Sequence, residues 1–255
     1  MKKLMYAFLL LPALVHAQEY QEHLVIQNVM LTVEKGHIEA FEKGVAAHNK
    51  KFHAEGPYQS SVFSISSGKN AGKYIWNMGP LPWSAMDGRP GKENGHDADW
   101  DANVVPHLTA EVDVNYWRFH PNFSDFSKDF TLKNLSVYMI DIKRSKQMDF
   151  MNKVIQKVHQ VYSEKLPGQR RGVYTNELGN KDGLDFAWVD FFDSLSWMGQ
   201  EDKFPQQFEE VHGTGSFTSF LADVEATTDG QWTELWAFRK DLSGTSGLVE
   251  AATRQ

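Results

Sequence analysis

The same order of predicted elements runs twice along this chain, and that repetition constrains the fold more than any single motif. Asn28 to Val33 (NVMLTV) reads as a strand from its apolar and β-branched content. Ile38, Phe41, Val45, His48 and Phe52 then share one face at helical spacing. Tyr58 to Ser67 and Lys73 to Met78 (KYIWNM) read as strands around a glycine-containing turn, SGKNAG. After a mixed segment from Pro82 to about Ala110, Glu111 to His120 (EVDVNYWRFH) closes the set as a strand. The second half repeats this order. Ser136 to Ile142 is a strand, and Met148, Met151, Ile155 and Tyr162 mark a helix. Arg171 to Leu178 and Leu184 to Phe192 form a hairpin across the loop between Gly179 and Gly183. A second mixed segment leads to a last strand, Gln231 to Lys240.

Residue matches support a duplication. Phe41 matches Phe150 at an offset of 109, and Gly68 and Gly72 match Gly179 and Gly183 at 111. Trp76, Ser84 and Met86 match Trp188, Ser196 and Met198 at 112, and Trp117 and Phe119 match Trp236 and Phe238 at 119. The offset only grows, as accumulating insertions require. Each half is therefore expected to be a β-α-β-β-α-β unit, a four-stranded antiparallel sheet with its helices on one face. Several strands are apolar at consecutive positions: Val137 to Ile140, Phe186 to Val189, Leu235 to Phe238. Such strands need cover on both faces. The helices supply one cover and the other half of the same chain supplies the second, since tethering favours internal pairing.

The expected fold class is α+β, with two tandem ferredoxin-like units packed sheet to sheet as an intramolecular α/β barrel. The expected divisions are a signal peptide over 1–17, a first unit over 18–122, a linker over 123–131, a second unit over 132–240 and a polar tail over 241–255 that offers little to the core. The duplicated order, the two aromatic-ended closing strands (YWRFH and LWAFR) and the two-faced strands resemble the dimeric α/β-barrel superfamily. That resemblance covers residues 24–240 and implies a broad range of roles. Similar proteins include cofactor-independent monooxygenases acting on aromatic or quinone-like substrates, haem-handling enzymes and members of unknown role. Fold alone does not choose among them.

The N-terminus sets the compartment. Lys2 and Lys3 precede an apolar run from Leu4 to Val15, and Val15-His-Ala17 places small residues where a signal peptidase reads. Cleavage after Ala17 is expected, and with it a periplasmic or secreted protein with no membrane association once the signal is removed. The run is shorter than the roughly 20 apolar residues of a membrane span. A formal charge of -7 argues against nucleic acid as a partner. The absence of cysteine removes disulfides, thiolate metal sites and a cysteine nucleophile.

Histidine carries most of the candidate chemistry, because its ordinary pKa near 6.5 suits both proton transfer and metal ligation. His48 lies on the apolar stripe of the first helix and His159 on the second, where each would point into the space between helix and sheet. They are not aligned, since an offset of 109 sets His48 opposite Lys157. The plain alternative for both is packing at the stripe's edge. His107 and His212 each precede a closing strand. An exported protein of the resembled fold could use one as a haem ligand, against the alternative of an ordinary loop or helix-end residue. Alternation in the closing strand of the first unit puts Tyr116, Arg118 and His120 on one face. They could bind an anionic or phenolic ligand, and their counterparts Leu235, Ala237 and Arg239 keep little of that polarity, so any site is expected to be asymmetric.

Gly95 to Asp101 (GHDADWD) is the densest oxygen cluster. It fails as a calcium loop, with Ala102 at the sixth position and Leu108 at the twelfth. A looser metal site including His96 is one reading and an ordinary helix start is the other, favoured one. Trp83, Trp100 and Trp232 are candidates to face an aromatic ligand, while the tryptophans that recur in both halves read as core. No metal site is assigned, and no cofactor is expected apart from the haem alternative. The sequence favours a small-molecule ligand, apolar or aromatic, over catalysis by a cofactor-independent or haem-dependent oxidoreductase, and over a protein-interaction module. It fixes neither the ligand nor the oligomeric state.

Overall fold

The structure is a computed structural model describing residues 22–179 and 183–251. The segment expected to be a signal peptide and residues 180–182 of the hairpin lie outside the described residues.

The first unit comprises β1 (Leu24–Val33), α1 (Ile38–Phe52), β2 (Ser60–Ser67), β3 (Tyr74–Pro82), α2 (His96–Asn103) and β4 (Leu108–Phe119). A short strand β5 (Phe130–Thr131) precedes the second unit. That unit begins with β6 (Asn134–Ile142) and a helix in two parts, α3 (Gln147–Phe150) and α4 (Gln156–Lys165), joined by a π-helical turn (Met151–Ile155). It continues with β7 (Arg171–Asn176), β8 (Phe186–Phe192), α5 (Phe204–His212), α6 (Ser216–Thr227) and β9 (Thr228–Phe238). The chain then adds a last short strand, β10 (Leu248–Val249). Among the described residues no helix is long and apolar enough to cross a membrane.

The eight long strands close into a barrel in the order β1-β3-β2-β9-β6-β8-β7-β4, with β4 pairing back to β1. Each unit contributes a four-stranded antiparallel sheet of identical internal order. The seams are β2 against β9, where Phe63 faces Phe238 and Ile65 faces Trp236, and β4 against β7, where Trp117 faces Asn176. The expected intramolecular α/β barrel is thus the fold of this chain.

The consecutive apolar residues are explained by two covered faces. In β8 all seven residues are buried. Ala187, Val189 and Phe191 point into the barrel beside Phe63, Ile75, Trp117 and Trp236. Phe186 and Trp188 point outward under the helices, with Phe150, Val154 and Val161. The first unit repeats this outer layer, with Phe41 and Val45 of α1 packed on Val62, Tyr74 and Trp76. Phe41 and Phe150, matched in sequence, are both fully buried. Each fully buried side chain of this kind contributes about 2 to 3 kcal/mol.

The residues after β9 correct one expectation. Leu242 is 2% exposed and joins the first unit's outer core. Asn49 on α1 donates from Nδ2 to the Leu242 carbonyl at 2.7 Å, and β10 pairs with β5. Gly244 passes so close to His53 that a Cβ there would collide with the His53 carbonyl oxygen. The stretch looked like a small, polar tail because Leu242, Leu248 and Val249 are scattered among small and polar residues, and its packing depends on partners far away in sequence.

Candidate functional site

The helix-sheet interface is opened in one unit and filled in the other. In the first unit a cleft of about 480 Å³ lies between α1, α2, the outer face of β1 and β3, and the turn after β3. Its walls include Trp76, Met78, Met86 and Trp100, its polar groups Gln27, Arg89, His48, His53 and His96 together with the carboxylates of Asp87, Asp97 and Asp101. A depression of similar volume on the second unit, formed by Pro205, Gln206, Glu209, Glu210 and Thr214, has no converging groups of this kind.

Local sequence explains how the histidines meet. The apolar stripe of α1 buries one face of that helix, and His48 and Asn49 lie at the end of the stripe, both fully buried. His53 is the residue that closes α1, held by its backbone N–H to the Asn49 carbonyl. His96 opens α2. The two helices approach closely because residue 44 is glycine: a Cβ there would collide with the Asn103 carbonyl oxygen at the far end of α2. Asn49 further accepts a hydrogen bond from Trp76 Nε1 at 2.9 Å, fixing the indole that forms one wall.

Each histidine is anchored through Nδ1. His48 Nδ1 lies 2.9 Å from Asp99 Oδ1, His96 Nδ1 lies 3.0 Å from Asp97 Oδ1, and His53 Nδ1 lies 2.7 Å from the Tyr58 carbonyl oxygen. The Nε2 atoms of His53 and His96 are 3.0 Å apart. One nitrogen from each of the three rings lies within 4.8 Å of the others. Burial lowers the His48 pKa, opposed by its bond to Asp99, and pushes His53 down to about 4, opposed by the Tyr58 carbonyl. Both rings are therefore neutral at pH 7. The bond from His48 holds the Asp99 carboxyl below the ordinary carboxylate range. Among the described residues these three side chains are the group that could hold a metal.

Arg89 stands at the rim. Its Nη1 donates to Gln27 Oε1 at 2.8 Å and reaches the Tyr116 hydroxyl at 3.4 Å, and its Nε donates to the Met86 carbonyl. Among the described residues it makes no ion pair. Tyr116 itself packs on Trp83, with ring centroids 5.0 Å apart.

Of the residues singled out in sequence, His48 lines the cleft and Tyr116 borders it through Arg89. Arg118 is exposed on β4. His120 is bound through Nε2 to Thr175 Oγ1 at 2.8 Å, between the units. His107 sits against His37 near the start of α1. His159 lies beside Phe123 and Arg171, and His212 directs Nε2 to the Lys157 carbonyl at 3.1 Å. Trp100 lines the cleft, whereas Trp232 lies under the Lys69 ammonium. His53 escaped the sequence reading, because it falls five residues beyond His48 and off the helical stripe. Asp97 and Asp99 mattered as anchors for histidine and not as direct ligands of calcium.

In the second unit Tyr162 packs on Trp188, with centroids 4.9 Å apart, as His53 packs on Trp76 at 5.1 Å. There the remaining space holds the fully buried Arg171 and Asp190. The two units differ here, although the difference lies in the helix-sheet cleft and not in the Tyr116, Arg118 and His120 row of the closing strand.

No family model matches the chain, and no curated protein matches it in sequence. Solved structures match its fold. A proposed monooxygenase from Fusobacterium nucleatum is 10% identical with a TM-score of 0.59, covering 92% of this chain and 100% of that one. An anthrone oxidase-like protein is 12% identical with a TM-score of 0.55, covering 92% and 96%. The chlorite dismutase of Candidatus Nitrospira defluvii, solved in complex with imidazole, is 10% identical with a TM-score of 0.52, covering 88% and 95%. Similarity at this identity shows a shared dimeric α/β-barrel fold.

Proposed function

We propose that the chain is an exported protein whose first unit binds a small, partly aromatic anion in the cleft between α1, α2 and the sheet. The observation that carries this reading is the cleft's composition. Trp76 and Trp100, with ring centroids 6.3 Å apart, and two methionines supply flat and adaptable apolar surface. Arg89 supplies a guanidinium at the mouth that makes no ion pair among the described residues, whereas the carboxylates of Asp97 and Asp101 lie at the histidine side of the cleft on α2. A volume of about 480 Å³ suits a small organic molecule. The apolar walls bury a ring, and Arg89 meets a carboxylate or phenolate at the rim.

An oxidoreductase on the same fold is the second reading, favoured by the histidines in the cleft. Haem does not fit these residues. A porphyrin needs one imidazole aimed into an open apolar slot, whereas here three imidazoles crowd one point. His212 donates its Nε2 proton to a carbonyl, so that nitrogen has no lone pair for iron, and the His107 ring lies against His37 outside the cleft.

The test is titration of the full chain with benzoate and with uncharged benzyl alcohol, followed by tryptophan fluorescence. Benzoate should bind at least tenfold tighter, and Arg89→Gln should remove that preference while leaving benzyl alcohol unchanged. Equal binding of both probes, insensitive to Arg89→Gln, would refute the anion reading.

A further inference from the structure

Hydrogen bonding fixes where the protons sit on these rings. The Tyr58 carbonyl can only accept, so His53 Nδ1 donates and its neutral ring presents a lone pair at Nε2. The carboxylates of Asp99 and Asp97 impose the same tautomer on His48 and His96. With one proton on each ring, His53 and His96 would direct two lone pairs at each other across 3.0 Å. His48 Nε2 is fully buried and has no hydrogen-bond partner among the described residues. Leaving such a nitrogen unsatisfied costs about 1 to 3 kcal/mol. Three inward lone pairs repel one another, and one cation relieves all three.

We propose that His48, His53 and His96 hold one divalent transition-metal ion, zinc or a first-row neighbour, with a coordination position open to the cleft. The donor set agrees. Neutral imidazole suits zinc, copper, iron, cobalt and nickel, and a site without thiolate or direct carboxylate ligands disfavours calcium and magnesium. Two nitrogens bound to one zinc ion at about 2.0 to 2.1 Å sit roughly 3.3 Å apart, close to the spacing already present between His53 and His96. The anchors agree as well. Metal-bound histidine typically donates its other ring N–H to a carboxylate or a backbone carbonyl, and all three rings here do so. Asp97 and Asp99 also place negative charge beside the ion. Three protein ligands are the pattern of sites that keep an exchangeable position, and the cleft with Arg89 at its mouth lies on that side. The inference rests on the cleft described above, and it concerns the metal independently of the organic ligand.

The competing arrangement is metal-free, with a second proton on His96 that donates to His53. Titration of the metal-stripped full chain with Co²⁺ separates the two. One equivalent should bind, with the visible ligand-field absorption of low-coordinate cobalt, and Zn²⁺ should displace it. His96→Ala, on the half-exposed end of α2, should remove the absorption while circular dichroism stays unchanged. Asp99→Asn should weaken binding about 10- to 100-fold. If a variant fails to fold, X-ray absorption of the zinc-loaded wild type should show imidazole scattering from three rings. No stoichiometric cobalt binding, or binding indifferent to His96→Ala, would overturn the proposal. Benzoate titration of the stripped protein is read separately. Cobalt binding without benzoate binding would sink only the organic-anion reading, and the reverse result would sink only the metal.

Discussion

Asp190→Asn should change how stability depends on pH, and the change tests whether the second unit's interior is closed. Asp190 is 1% exposed, on the outer face of β8 beneath the helix. Burial drives its pKa from 3.8 up to about 7, against hydrogen bonds from Trp188 and Gln169 and the charge of Arg171. In the unfolded chain the carboxyl loses its proton near 3.8. Between these values the folded protein binds the extra proton, so this group's contribution makes stability fall as pH rises from about 4 to about 7. The displacement corresponds to about 4 kcal/mol once pH exceeds 7. In a chain of 255 residues that is a difference in Tm of about 8 to 16 °C.

Asparagine keeps the shape and removes the ionisation. The measurement is urea unfolding of wild type and variant from pH 4 to pH 8, followed by tryptophan fluorescence in metal-free buffer. Other groups titrate over the same range. His53, lowered to about 4, adds stability that is present above 6.5 and lost as pH falls toward 4. That contribution is common to both proteins and cancels in their difference. The stability of Asp190→Asn relative to wild type should therefore climb between pH 4 and pH 7, by up to about 4 kcal/mol, and then level off. A flat difference would mean that Arg171 and its neighbours keep Asp190 ionised throughout. The dry, filled second interior, and with it the contrast to the first, would then be wrong.

Gly44→Ala should force α1 and α2 apart, costing about 1 to 3 kcal/mol, and should weaken Co²⁺ binding because His96 rides on α2; thermal unfolding with an unchanged cobalt titration would contradict this. Phe41→Ala and Phe150→Ala should each cost about 3 to 5 kcal/mol, since the two rings occupy matched, fully buried positions. A cost near zero at one of them, in urea unfolding, would break the equivalence of the halves. Mass spectrometry of protein exported by a bacterial host should find Gln18 at the N-terminus, and an intact Lys2-Lys3 segment would remove the signal-peptide reading.

The barrel was legible because its cause is local and repeated. Apolar runs such as Phe186 to Val189 demand two covers whatever their partner, and matched positions such as Trp117 and Trp236 carry the same burden in both halves. Both of these tryptophans lie inside the barrel. Strand ends were less legible. β1 begins at Leu24 and β4 at Leu108 because they pair with β3 and with each other, as at Leu24 with Pro82 and Val33 with Leu108. Such cross-strand partners leave no trace in the local sequence.

The candidate site shows a different limit. His48 announced itself because burial of a helix face is periodic, and His53 did not because a residue closing a helix obeys no period. His96 lay in a segment that read chiefly as a helix start, with a loose metal site as the lesser reading, while the fold used its acids to orient imidazoles. The duplication held a better signal than any motif. Two copies of one unit start with the same interior, and a position where they diverge chemically is free of the packing demand that both must meet. Tyr162 and His53 occupy comparable places, each against the tryptophan of its unit's third strand. The phenol belongs to a filled interior, and the imidazole to a cleft that meets two other imidazoles. When the barrel needs only one unit to be solid, the other can give up packing for an open cleft, and the divergent polar residues mark which one did.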